Sequence, residues 1–379
     1  MYLARLELRA FRSYSQAELA LGRGVVVIHG RNGAGKTSLL EAACMAALGG
    51  SPRAGEAREM IRLGQDTSFV RAEFVAGGRR LQVEVGLARS GARQVKLNGA
   101  VRRRADLIGM TPLQYFSAAD LELIQGEPGA RRRLLDAELS ATSARYHTLL
   151  GRYRRALEQR NRLLKEVRAG RAAIQGLAPW DRALARYGAE VMWERGQFVK
   201  ALSPAAAAAH ARLTGGSQEL MIEYRPSVAM SDGQGHTLWE EERTRMVANL
   251  AARLESALQE ARTEDLARGL TTVGPHRDDM EVLLRGVPAR AFGSQGEQRG
   301  CALAIRLGLG QVMETTLGEQ PVLLLDDVLS ELDAQHRAGV FAACPRVEQV
   351  IITCCEVGTI PPEALARAQV HEVRDGQLI

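Results

Sequence analysis

VVVIHGRNGAGKTSLLEA, residues 25–42, joins a β-branched apolar run to a helix-forming segment through a turn in which Gly30, Gly33 and Gly35 alternate with larger residues. Gly30 to Thr37 matches GxxxxGK[ST], in the strand-before, helix-after setting that the pattern requires. The residue types dictate the chemistry. Glycines let the backbone close on phosphate oxygens, and the amides and helix N-terminus aim partial positive charge at them. Lys36 reaches the terminal phosphates, and the Thr37 hydroxyl suits Mg²⁺. A nucleotide polyphosphate is therefore expected on Gly30, Arg31, Asn32, Gly33, Ala34, Gly35, Lys36, Thr37 and Ser38. The turn does not read GxGxxG, which argues against a dinucleotide fold.

Two downstream stretches complete this reading. PVLLLDD, 321–327, is an apolar strand ending in two acids. Asp326 thus falls at the strand's C-terminal edge, where a phosphate-loop fold needs a carboxylate for its Mg²⁺ shell. Asp327 is then placed to orient or deprotonate an attacking water. FGSQGEQRGCALAIRLGLG, 292–310, reads as a Gly-flanked turn entering a helix, with Ser294 and Gly296 suited to receive an anion through a hydroxyl and amides. Taken alone, a serine there is an ordinary helix cap. Since the chain has one GxxxxGK turn, a second phosphate site at Ser294 would serve the nucleotide of another molecule.

The 379 residues suggest two or three domains, and 46% hydrophobic with 25% charged residues is the balance of a soluble globular protein. No run of 18 apolar residues occurs, and the start, MYLARLELRAFRSY, alternates apolar with charged residues, so neither membrane spans nor a secretion signal is expected. Five cysteines without CxxC spacing point to reduced, buried thiols in the cytoplasm. Only four of the 50 basic residues are lysine, so one arginine cluster says little by itself. Position says more: residues 131–182 carry 13 basic and 5 acidic side chains, a local +8 that exceeds the whole-chain +6.

Strands are expected at 2–8 and 25–28 and, as a meander, at 69–75, 81–88 and 93–98. From 118 to about 265 the spacing is helical, and after 270 α/β punctuation returns. The fold expected is α/β: a phosphate-loop ATPase domain split in sequence, 1–117 plus 268–379, carrying a mainly helical inserted lobe, 118–267.

SQGEQ, followed by Asp326 and then SELD (330–333), resembles the signature loop and D-loop of ABC-type ATPases, specifically the heads of the SMC and RecF group. FRSY (11–14), GRNGAGKTSLLEA (30–42), GEPGARRRLLD (126–136), LEQRNRLLK (157–165), GPHRDD (274–279) and FGSQGEQR (292–299) together resemble the RecF family of bacterial recombination mediators. That resemblance implies a head that dimerises around two ATP molecules with Mg²⁺, engages DNA, and acts with RecR and RecO to load recombinase at single-strand gaps. It puts Arg12 and Ser13 near the α-phosphate or base. Ser294, Gln295, Gly296, Glu297 and Gln298 fall on the γ-phosphate of the partner subunit. Lys36 and Asp327 become the catalytic pair, and Thr37, Asp326 and the Q-loop residue Gln125 the metal set. IITCCEV (351–357) lacks the histidine that many ABC proteins carry at the switch, leaving the polar role to Thr353.

For DNA, the expected contacts are Arg131, Arg132, Arg133, Arg152, Arg154, Arg155, Arg160 and Arg162 on predicted helices. Aromatic residues are 4% of the chain, so backbone contact with duplex or a duplex/single-strand junction is favoured over base stacking. His276–Asp279 follows a Gly-Pro turn and reads as a structural cluster. Three competing architectures fail on the same residues. A small-molecule kinase or ATPase with a helical lid has no reason to contain SQGEQ and SELD. A transporter's energy subunit predicts a short insert, whereas Lys36 and Ser294 lie 258 residues apart. A long SMC-type arm needs sustained heptads, which the Gly/Pro-broken insert lacks.

Overall fold

Alternating burial shapes the first sheet. In Tyr2–Phe11 (β1) the side chains of Leu3, Leu6, Leu8 and Phe11 are buried while Arg5 and Arg9 face water. With Tyr14–Ala20 (β2), Thr67–Ala76 (β4), Arg79–Ala88 (β5), Arg93–Leu97 (β6) and Ala100–Arg102 (β7), β1 forms an antiparallel sheet of order β2-β1-β4-β5-β6-β7. The expected meander is present, and it continues onto β1 because Leu6 and Leu8 share the buried face of Val70 and Ala72.

Continuous apolar runs build the second sheet. Gly24–His29 (β3), Leu113–Ser117 (β8), Val322–Asp326 (β12), Gln349–Cys354 (β13), Gln369–Arg374 (β14) and Gln377–Leu378 (β15) take the order β15-β14-β3-β13-β12-β8. All pairs are parallel except β14 with β15. Strands β12 and β13 are buried along their whole length, as expected of parallel strands covered on both faces. Helix α1 (Lys36–Leu48) packs on β1, β4 and β5 and also on β8 and β12. It is buried nearly all round, which is why its sequence carries no apolar stripe. A third, small sheet has the order β11-β10-β9, from Leu220–Arg225 (β9), Asp279–Leu284 (β10) and Val287–Pro288 (β11). Strand β9 interrupts the stretch expected to be helical throughout.

This is a computed structural model, and it describes residues 1–379 apart from 52, 54, 217–218, 230–238, 332–333 and 344–346. The remaining helices are Glu122–Gln125 (α2), Pro128–Thr142 (α3), Ala144–Arg168 (α4), Ala178–Thr214 (α5), Trp239–Glu260 (α6), Arg262–Arg268 (α7), Ala289–Phe292 (α8), Gln295–Leu317 (α9), Ala334–Ala343 (α10) and Pro362–Leu365 (α11). Among the described residues no helix is long and apolar enough to cross a membrane.

The chain divides into one unit of Met1–Gln125, Pro204–Met221 and Leu284–Ile379, and a second of Gly126–Ser203 and Ile222–Leu283. The boundaries expected at 118 and 267 therefore move to 126 and 283, and the end of α5 goes with the first unit. The cause is close backbone approach: a Cβ on Gly308 of α9 would stand 2.7 Å from the Ala206 nitrogen of α5. The second unit has its own core, in which Tyr146, Leu149 and Tyr153 of α4 meet Leu184 and Met192 of α5 and Leu250 and Leu254 of α6.

Candidate active site

Strand β3 delivers the chain into the Gly30–Thr37 turn, and two of its glycines answer a steric demand. Gly30 (φ 154°) lies where any Cβ would overlap the Val373 carbonyl of β14. At Gly35 (φ 116°) a Cβ would come within 2.9 Å of both Ser13 Oγ and Tyr14 Oη. The turn is tied from outside as well: Tyr14 Oη donates to the Gly35 carbonyl at 3.2 Å and Gly376 N to the Ala34 carbonyl at 2.9 Å. Lys36 is buried, its Nζ donating to the carbonyls of Gly30 at 2.6 Å and Arg31 at 3.1 Å.

Strand β13 lies between β3 and β12, with Thr353 level with Asp326 on one side and Ile28 on the other. Hydroxyls of Thr37 and Thr353 donate to Asp326 Oδ1 at 2.9 and 2.8 Å, and Tyr115 Oη of β8 donates to Oδ2 at 2.7 Å. Thr353 Oγ1 also accepts from the Asp327 amide at 2.9 Å, so this threonine is bonded to both acids at the end of β12. A threonine hydroxyl and a carboxylate beside a phosphate-binding turn fit Mg²⁺, which takes one or two protein oxygens and completes its shell with phosphate and water. Among the described residues no group of three or more His, Cys, Asp or Glu competes for that role. Cys355 is half-buried, not buried as expected, and donates to Asn32 Oδ1 at 2.9 Å with its sulfur 3.7 Å from Lys36 Nζ.

A cleft of about 670 Å³ gathers Arg12, Ser13, Asn32, Gly33, Gly35, Lys36, Thr37, Ser38 and Asp327. Ala34 is buried beneath the turn and Arg31 is exposed beside it. Arg12 reaches the cleft on a left-handed backbone (φ 50°), and its guanidinium is fixed by two bonds to Glu41 of α1, at 2.8 and 2.7 Å, and one to the Glu59 carbonyl at 2.6 Å. The Glu41 hydrogen bond, outweighing partial burial, raises the affinity of Arg12 for its proton. Arg53, Arg58, Glu59, Ile61, Leu63 and Arg89 complete the lining and had no marker in the sequence. Glu41, one turn after Thr37 in an otherwise apolar helix and 1% exposed, was the available signal for a buried partner.

At the start of α9, Ser294 caps the helix. Its Oγ accepts from Glu297 N at 3.3 Å while Glu297 Oε2 accepts from Ser294 N at 2.7 Å. Arg285 donates to Glu297 Oε1 at 2.7 Å, and this bond, with the Ser294 amide second, holds the carboxyl down at about 2. Ser294 and Gln295 are exposed and nothing lies within 4 Å of a Cβ on Gly296, so this edge is open to another molecule. Gln298 departs from its expected place on a partner's phosphate. It is buried, and its amide donates to the carbonyls of Ala289, Gly293 and Arg290, satisfying the end of α8. Gln125, expected as a metal ligand, does not line the cleft and donates instead to Gln298 Oε1 at 2.6 Å. Leu332 and Asp333 of SELD, and Cys344, lie outside the described residues.

In the second unit the arginines expected on DNA separate into two kinds. Arg160 is 0% exposed and donates to Asp181 at 2.7 Å and Asp265 at 2.5 Å, and Arg131 is 6% exposed and pairs through two nitrogens with Asp279 at 2.7 and 2.8 Å. Neither faces a ligand: both sit on the buried side of their helices, where an unpaired charge would be prohibitive. Arg132 is half-buried on the Asp278 carbonyl, at 2.7 Å. Arg133, Arg152, Arg154, Arg155 and Arg162 are exposed, although Arg154 also pairs with Asp136 at 3.0 Å. His276–Asp279 is a knot of internal bonds. His276 Nε2 lies 3.0 Å from the Thr271 carbonyl, so it carries the proton and Nδ1 accepts from Tyr153 Oη at 2.6 Å. Asp278 is 0% exposed and accepts from Tyr224 Oη and the Ser227 amide.

Comparison with known proteins agrees with this geometry. The family profile described as RecF/RecN/SMC N terminal domain matches residues 2–374. The chain is 38% identical, over 93% of each sequence, to the DNA replication and repair protein RecF of Acidothermus cellulolyticus. It is 35% identical to that of Synechococcus sp. (strain JA-3-3Ab), over 100% of this chain and 97% of the relative. A solved structure of the recombination mediator protein RecF with ATP, from the RecFOR pathway, superposes with TM-score 0.87 at 28% identity, covering 100% of this chain and 97% of that one. An SMC head bound to the C-winged helix domain of ScpA, at TM-score 0.57 and 15% identity, shares the fold. The phosphate-loop cleft, the capped signature helix and these full-length likenesses establish that the chain belongs to the RecF family of DNA replication and repair proteins, built on an ABC-type ATPase head.

Proposed function

We propose that this protein is an ATP-gated mediator of recombinational repair in the cytoplasm, working with RecR and RecO, in which nucleotide closes a homodimer on duplex DNA or a duplex/single-strand junction. The observation that carries it is that Lys36, Thr37 and Asp327 line one cleft, with Asp326 bonded to Thr37, in a chain whose capped Ser294 edge is exposed. Lys36 neutralises the terminal phosphates, and Thr37 and Asp326 hold Mg²⁺. When bound there, Mg²⁺ would supply positive charge against the negative charge that develops on the phosphates. Asp327 takes the proton of the attacking water. The Ser294–Gly296 edge of a second copy supplies the hydroxyl and amides that close on the γ-phosphate. A nucleotide held only in the dimer, at 100 times its dissociation constant, adds about 2.7 kcal/mol to association, enough to turn a weak dimer into the main species.

Along α4, Arg152, Arg155 and Arg162 recur at helical spacing on the exposed side, which suits tracking of DNA phosphates. Light scattering without nucleotide, with ADP, and with ATP and Mg²⁺, each with and without gapped duplex at two salt concentrations, tests the scheme. ATP should raise the mass to a dimer that DNA joins at low salt. Lys36→Met should stay monomeric, Asp327→Asn should hold ATP in a long-lived dimer, and Ser294→Arg should bind ATP without closing. A stable Lys36→Met dimer without ATP, or normal hydrolysis by Ser294→Arg, overturns the trans arrangement.

A further inference from the structure

Strand β8 is the edge of the parallel sheet, and it runs beside β12 with Tyr115 level with Leu324. From there the Tyr115 ring packs on the core of the first unit and its hydroxyl crosses to Asp326 Oδ2, 2.7 Å away. Asp326 is thereby gripped at both oxygens, with Thr37 and Thr353 on Oδ1 at 2.9 and 2.8 Å. All three donors are neutral hydroxyls, which orient a carboxylate without cancelling its charge. A carboxylate offers about four acceptor positions, so the three bonds leave one, on the oxygen that Tyr115 holds.

We infer that Tyr115 is a positioning residue for ATP hydrolysis: its hydroxyl fixes the Asp326 carboxylate so that the remaining acceptor position serves the Mg²⁺ shell. The inference rests on the reading that Thr37 and Asp326 hold Mg²⁺. Partners that orient a metal-binding carboxylate typically change metal affinity or activity 10- to 100-fold when removed. Tyr115→Phe deletes one oxygen and keeps the ring's packing.

The experiment is a Mg²⁺ titration of ATP binding by calorimetry and of ATP hydrolysis, for wild type and Tyr115→Phe, with ATP binding in excess EDTA as the metal-free arm. The half-saturating Mg²⁺ concentration should rise about tenfold in the variant, with the EDTA arm unchanged. Thr353→Val, which removes a donor from the other oxygen, should shift the same titration in the same direction. If wild type responds to Mg²⁺ and Tyr115→Phe responds identically, or loses ATP binding equally with and without metal, the positioning role is wrong and the metal site stands. If wild type shows no Mg²⁺ dependence, the metal assignment itself falls and takes Tyr115 with it.

Discussion

Arg160→Met removes a charge from the interior of the second unit, and its cost follows from what remains. The guanidinium, 0% exposed, donates to Asp181 Oδ1, Asp265 Oδ2 and Thr271 Oγ1 at 2.7, 2.5 and 2.9 Å. After replacement Asp181 keeps Arg262 at 2.8 Å, and Asp265 Oδ1 keeps the amide and hydroxyl of Thr272 at 2.8 and 2.7 Å. The orphans are one oxygen of each acid, Asp181 Oδ1 and Asp265 Oδ2, in residues 1% and 0% exposed. Removing one partner of a buried ion pair costs about 3–5 kcal/mol, and the retained bonds favour the lower end, about 3 kcal/mol. At about 3 °C per kcal/mol for a unit of this size, the melting temperature should fall by roughly 9 °C. The assay is unusually direct, because all three tryptophans, Trp180, Trp193 and Trp239, belong to the second unit, so their fluorescence reports its unfolding alone. Asp265→Asn and the double variant close a cycle, with an expected coupling of roughly 2 kcal/mol, and exposed Arg155→Met should lie within about 0.5 kcal/mol of wild type. An Arg160→Met protein as stable as Arg155→Met, or strict additivity with Asp265→Asn, refutes the reasoning.

Three further outcomes follow. Burial lowers His276 to about 4, so it is neutral in the folded state while the unfolded residue titrates near its usual 6.5. Its contribution, on the order of 3 kcal/mol, is complete above pH 6.5 and is lost as pH falls through 4; the stability gap between wild type and His276→Gln should narrow accordingly in denaturant melts. Glu297, held at about 2, behaves as a depressed carboxylate: its capping contribution is present above the ordinary range and lost as pH falls through 2. Carboxyl NMR should show it titrating near that value, and Arg285→Gln should return it toward the ordinary one; no movement means that Arg285 is not the cause. Replacing Arg152, Arg155 and Arg162 together by Ala should leave the fold intact and reduce the salt slope of DNA affinity by about 3, and an unchanged slope places DNA elsewhere.

What the sequence made legible was local. The Gly30–Thr37 turn, the acids ending β12 and the cap at Ser294 each lie within a few residues, where steric and hydrogen-bonding rules act directly. Tyr115 was invisible because it meets Asp326 across 211 positions through parallel strand pairing, which leaves no spacing signature. Gln298 shows the reverse failure: a motif assigned its outward role, and the carbonyls of α8 claimed its amide. Counting charge in 131–182 could not separate buried from exposed arginines, yet periodicity could have. Tyr146, Leu149, Tyr153, Ala156, Arg160 and Leu164 recur every three or four residues along the buried stripe of α4, and Arg160 stands on it between Ala156 and Leu164. An arginine on an apolar stripe is a request for buried acids, and Asp181 and Asp265 answer it.

Asp327 sits on a left-handed backbone, φ 53°, a conformation that among residues with a side chain is kept at low strain mainly by Asp and Asn. The geometry that carries the acid therefore also restricts its replacement. A saturation library at this position should divide along two axes, with Gly and Asn retaining the fold and only Asp retaining turnover. A longer carboxylate would have to reshape the turn before it could act. On the proposed assignment of Asp327 as the base, the reach of the acid and the shape of the strand's end are inherited together, so one step to Asn would remove hydrolysis and keep the turn, whereas one step to Glu would disturb both.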